Sequence, residues 1–122
     1  MSASRLASSF LLALAAATSA AWPADRTLRG RYYYGPDVEV FEPCTHVISY
    51  WVKGSDKILQ PLRHRSEQLR EKRGKIRPLY VEMVGSIDTK SERDGPAANF
   101  DGLLHVRRVV KSSAVVPKRC SE

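Results

Sequence analysis

Residues 45–85 read THVISYWVKG-SDKILQPLRHRSEQLREKRG-KIRPLYVEMVG, and their hydrophobic period changes twice. In the first block Val47, Ile48, Tyr50, Trp51 and Val52 form a nearly continuous apolar run. A short run rich in β-branched and aromatic side chains predicts a buried strand over Thr45–Val52. Gly54-Ser55-Asp56 stops it. In the second block Ile58, Leu59, Leu62 and Leu69 recur with polar residues between them, which suits one apolar stripe on a helix. The spacing predicts a helix over Asp56–Arg73, with Ser55 or Asp56 as N-cap and Gly74 as its stop. Pro61 sits near enough to the start to be tolerated. In the third block Leu79, Val81 and Met83 alternate with Tyr80, Glu82 and Val84, the period-two signature of a strand over Ile76–Gly85.

What flanks this strand–helix–strand unit decides the architecture. Upstream, Leu28–Tyr34 is rich in aromatics and ends at the turn cluster Gly35-Pro36-Asp37, after which Val38–Phe41 alternates. Downstream, Ser86–Asp101 is a polar loop, and Leu103–Val110 is a strand with Leu104 and Val106 facing in and His105 and Arg107 facing out. A shorter apolar piece, Ala114-Val115-Val116, leads to Cys120. Three strands, a helix and two strands predict a mainly β domain over residues 28–120. The fold expected is a small OB-like five-stranded barrel with its helix between strands three and four. Its core would comprise Tyr34, Val40, Phe41, Ile48, Tyr50, Leu62, Leu69, Leu79, Val81, Leu104 and Val106. The loop Ser86–Asp101 would join strands four and five, one of the two places where such barrels bind ligands. An open α+β sheet covered by one helix is the rival.

The first residues read as an address. Arg5 is the only charge before the soft apolar stretch Phe10–Ala17, and the small residues Thr18-Ser19-Ala20-Ala21 follow. This is the pattern of a secretory signal peptide over residues 1–21, with cleavage after Ala20 or Ala21. An uncleaved anchor is disfavoured, because a spanning helix needs about 20 apolar residues. The chain is therefore expected to be periplasmic or secreted, with no transmembrane span after cleavage. Its 122 residues admit one small domain and exclude an enzyme with separate cofactor and substrate domains. The charge is +7, from 20 bases and 13 acids; without Arg5 it is 19 against 13, or +6. The two cysteines, Cys44 and Cys120, are read as one disulfide tying the end of the chain to its first third. The competing reading, free thiols in redox or metal chemistry, has no C-x-x-C spacing behind it.

Gly30, Tyr34, Asp37, Phe41 and Cys44 are spaced like the opening of a known domain. Pro78-Leu79-Tyr80-Val81-Glu82 with Gly85 and Ile87, then Gly102, Leu104, Val106 and Cys120, continue the likeness. Over Leu28–Cys120 the chain resembles the C-terminal OB domain of the NlpE envelope-stress lipoprotein family. The resemblance implies that the cysteines pair and that the protein monitors the bacterial envelope. Members are linked to surface contact, folding stress and copper. Two departures limit what carries over. No lipidation cysteine follows the signal, and no preceding domain carries a C-x-x-C pair, so neither membrane tethering nor copper binding is implied.

Catalytic and metal chemistry find little footing. His46, His64 and His105 have no local ligand spacing, and bonded cysteines cannot ligate as thiolates. No nucleophile elbow and no Gly-rich phosphate loop is present. The expectation is a non-enzymatic module without cofactor or metal that binds or senses an envelope protein or an anionic envelope component. The alternative is an exported polyanion binder. From Arg63 to Arg77 seven bases face two acids, and Arg63, Arg70, Arg73, Lys75 and Arg77 would form the anion-binding surface. The bland account is a solvated helix face supported by Glu67, four residues from Arg63 and three from Arg70. Nucleic acid is disfavoured as a partner, because export removes it and single-strand binding needs exposed aromatics beside the bases.

Overall fold

The computed structural model describes residues 23–45 and 47–121. The expected signal peptide, residues 1–21, and His46 lie outside the described residues. The elements are β1 (Arg26–Gly35), β2 (Val38–Pro43), β3 (Tyr50–Lys53), α1 (Asp56–Arg73), β4 (Leu79–Asp88), β5 (Gly102–Ser113) and a terminal turn of helix, α2 (Lys118–Ser121). A 3-10 turn, Gly95–Asn99, lies between β4 and β5. The strands close into a barrel in the order β1-β2-β3-β5-β4. With the helix between the third and fourth strands, this is the OB-like arrangement expected from the sequence.

Closure depends on β1 serving two neighbours. Its first part pairs with β4, from Arg26↔Gly85 to Tyr32↔Leu79. Its second part pairs with β2, from Gly30↔Pro43 to Gly35↔Val38. Gly30 stands where these two pairings overlap, and a Cβ there would lie 2.2 Å from the Glu42 carbonyl oxygen and 2.6 Å from the Phe41 ring. The missing side chain lets the strand bend over Phe41. β3 and β5 run parallel, and a parallel pair needs a long crossover, which α1 and β4 supply.

Local chemistry fixes α1. The Ser55 hydroxyl accepts from the Ile58 N–H at 3.3 Å, and Gly74, at φ 72°, donates its N–H to the Arg70 carbonyl at 2.7 Å. Both ends fall where the capping residues predicted. Leu59 and Leu62 enter the barrel beside Tyr32, Phe41, Tyr50, Val52, Leu79, Val81, Met83, Leu104 and Val106. The helix thereby plugs the end formed by the close of β1 and β5 and the start of β2 and β4.

Several boundaries differ from the expectation. β3 begins at Tyr50 rather than Thr45, because Cys44 is drawn to Cys120 and Asp101 holds Ser49 on both sides. Val47 is fully exposed as a result. β4 runs Leu79–Asp88 rather than Ile76–Gly85, since Gly85 to Asp88 find partners in Val106 to Leu103 of β5. β5 extends over Gly102–Ser113, and Ala114-Val115-Val116 forms no strand once the partner strand has ended. In the core, Tyr32 is wholly enclosed, whereas Tyr34, Ile48 and Leu69 pack half-buried against its edges.

Candidate functional site

The tail is fastened to the outside of the barrel. Cys44, just after β2, is bonded to Cys120 in α2, with Cα atoms 4.1 Å apart across 76 residues of sequence. The expected staple is present. Around it, the Cys44 N–H donates to the Arg29 carbonyl at 3.0 Å. Arg31 donates to the Cys120 carbonyl at 2.7 Å and to the Glu42 carboxylate at 3.2 Å. Arg31 and Glu42 are register partners on the outer face of β1 and β2, so the ion pair forms a platform for α2.

On a second face, the loops after β1 and after β4 converge. Trp51 points outward from β3 and meets Phe100, with ring centroids 5.5 Å apart and planes inclined at 48°. Asp101 holds this contact in place: its carboxylate accepts from the Ser49 N–H at 2.9 Å, and its own N–H donates to the Ser49 carbonyl at 3.0 Å. Pro96 of the 3-10 turn approaches Tyr34, Val38 and Trp51, leaving a cleft of about 300 Å³. The root of the long loop is equally defined. Asp88 accepts from the N–H groups of Lys90 and Ser91, at 2.9 and 3.0 Å, and from the Ser91 hydroxyl. These donors hold its carboxyl down to about 2.

Under this cleft lies a buried polar network that the sequence reading missed. The Tyr32 hydroxyl donates to Glu39 at 2.5 Å, and Arg63 grips both oxygens of the same carboxylate at 2.8 and 2.9 Å. Arg63 also pairs with Asp56 at 2.9 Å and lies over the Tyr34 ring at 5.7 Å. Burial and the neighbouring Glu39 carboxylate push the Tyr32 phenol far above its ordinary range, and the same carboxylate pushes the Arg63 guanidinium up. The network ties α1 to β1 and β2. Its members are 7 and 24 residues apart, so no local pattern announces it.

The basic run divides accordingly. Arg63 faces inward, its guanidinium held by the Glu39 carboxylate. Arg70 is half-buried, whereas Arg73, Lys75 and Arg77 are exposed at the end of α1 and beyond it. None of these four has an ion-pair partner among the described residues. Arg65, between them, donates to the carbonyl and hydroxyl of Ser112, closing the end of β5.

His64 is exposed on α1 and distant in sequence from His105 on β5; no cluster of three metal-ligating side chains forms among the described residues. Ser86 stands opposite His105 across β4 and β5, with Asp88 two residues along. No hydrogen bond links Ser86 to His105, and both Asp88 oxygens are taken by the turn at Lys90 and Ser91. Compared with known families, curated proteins and solved structures, the chain finds no match.

Proposed function

We propose that this chain is an exported, non-enzymatic OB-like module of the bacterial envelope that binds another envelope component across the Trp51 cleft. The observation that carries this reading is the convergence of both ligand-binding loops of the barrel on one outward aromatic pair, Trp51 and Phe100. The partner would be a protein segment or another envelope component that can lie along β2 and β3 and cover these rings. The resemblance to the NlpE C-terminal domain points to the same class of role, and the Cys44–Cys120 bond suits an oxidising compartment. Capture from envelope extract tests the reading. The oxidised protein should retain a partner that Trp51→Ala loses, while Trp51→Ala melts within a few degrees of the parent. Equal capture by both proteins would refute the cleft.

A second reading, a polyanion binder, is favoured by one observation: Arg73, Lys75 and Arg77 are exposed with no acid among the described residues paired to them. Replacing Arg70, Arg73, Lys75 and Arg77 by Ala should then lower retention on an anionic resin more than removing four bases elsewhere, with a steep dependence on salt. Equal losses would dismiss a localised site.

A further inference from the structure

We propose that the barrel end opposite α1 binds a single short acyl chain terminated by an anion, a carboxylate or a phosphate. This end is built from the start of β1, the close of β2, the start of β3 and the close of β4. Leu28, Ile48 and Ile87 pack half-buried against the core here, in continuity with its apolar interior. At the other end Leu59 and Leu62 of α1 are themselves buried against the core. Here the surface lines a cavity of about 340 Å³. That volume lies at the small end of ligand pockets and suits one chain rather than two.

Two features select an anionic head. Arg26 and Arg29 both line the cavity, and among the described residues no acid lines it and neither arginine has an ion-pair partner. Asp101, the acid that Tyr50 senses, has its carboxylate turned to the Ser49 N–H. The second feature is Tyr50. It is only 6% exposed and lines the cavity, yet its hydroxyl makes no hydrogen bond to any described residue. The ring is enclosed while the hydroxyl is left able to donate to a ligand oxygen in the cavity. An acyl chain over Leu28, Ile48 and Ile87 with its head between Arg26, Arg29 and the Tyr50 hydroxyl would use all three observations. The wall at Cys44 and Thr45 is held by the bond to Cys120, so the cavity is preformed in the oxidised protein.

Titration of the oxidised protein with octanoate, decanoate, decyl phosphate and decanol, below their micelle concentrations, tests this inference. Decanoate and decyl phosphate should bind at least tenfold more tightly than decanol. Each methylene between octanoate and decanoate should tighten binding by about fourfold. In the Arg26→Gln/Arg29→Gln variant, whose replaced side chains are exposed, the preference for the anions should vanish while decanol affinity stays. Methyl chemical shifts should move at Leu28, Ile48 and Ile87. Equal binding of decanol and decanoate, an unaltered preference in the double variant, or shifts centred on Trp51 and Pro96 would each overturn the proposal. Sedimentation with phosphatidylglycerol vesicles distinguishes the sources: co-sedimentation lost in the double variant assigns a lipid in a bilayer, and binding of soluble decanoate alone assigns a free acyl acid. Because Trp51 plays no part here, failure would leave the cleft reading intact, and the reverse.

Discussion

Glu39 is the residue on which the join between helix and barrel turns. Its side chain is 10% exposed, that of Arg63 21%, and one carboxylate satisfies both Arg63 and the Tyr32 hydroxyl. Removing one member of a buried pair leaves the other charge uncompensated, so Glu39→Ala should cost about 2–3 kcal/mol, read as a shift in the urea midpoint. A double replacement, Glu39→Leu with Arg63→Met, should recover much of that loss, because neither charge is then stranded. Tyr32 gives the network a pH signature. Its phenol stays protonated in the folded chain well above the value near 10 at which an unfolded tyrosine ionises. Below that value the hydroxyl contributes no pH dependence. Above it only the unfolded chain gains by losing the proton, so stability falls as pH rises, by about 1.4 kcal/mol per unit for such a group. Tyr33 and Tyr50 shift in the same direction through burial and add to the slope. Melting temperatures from pH 9 to 11 should show a decline that Tyr32→Phe makes shallower; a flat profile would contradict the buried phenol.

Among the elements, α1 was fully legible and β3 was not, for a physical reason. A helix is bounded by groups within a few residues of its ends, here the Ser55 hydroxyl and the left-handed Gly74, and both stand in the sequence at those places. Ser55→Ala should cost about 1 kcal/mol and Gly74→Ala about 1–2 kcal/mol, measured by chemical denaturation. By contrast, the start of β3 is set by Cys120 and Asp101, which lie far along the chain, so an apolar run from Val47 to Val52 overstated the strand. The same limit governs the candidate site. The long loop between β4 and β5 could be placed from strand order. That Phe100 would land on Trp51, 49 positions earlier, could not. The pairing of Arg63 was hidden for a related reason: in a run of seven bases it looks like any surface cation, and only the fold brings Glu39 beneath it. Gly30→Ala should be the most damaging small substitution in β1, since its Cβ would meet backbone oxygen rather than a side chain able to move.

At the scale of the whole molecule, the barrel closes through β1 and is then stapled from outside by its own tail. Such a bond across 76 residues is worth about 4–5 kcal/mol on the chain-entropy account. Reduction should therefore lower the melting temperature by at least ten degrees, given roughly 4–8 °C per kcal/mol for a domain of this size. It should also release α2 from Arg31 and loosen the wall at Cys44, so binding of decanoate should weaken in parallel. The bases divide in the same way: Arg31 and Arg63 are engaged internally, while Arg26, Arg29, Arg73, Lys75 and Arg77 are exposed and make no ion pair with any described residue. The staple is open to one direct measurement, intact mass after alkylation of the native, unreduced protein in denaturant. A mass that shows no added alkyl group is the result expected, with two groups added only after reduction. Two alkyl groups on the unreduced protein would mean that Cys44 and Cys120 are free, and a barrel fastened by its tail would have to be abandoned.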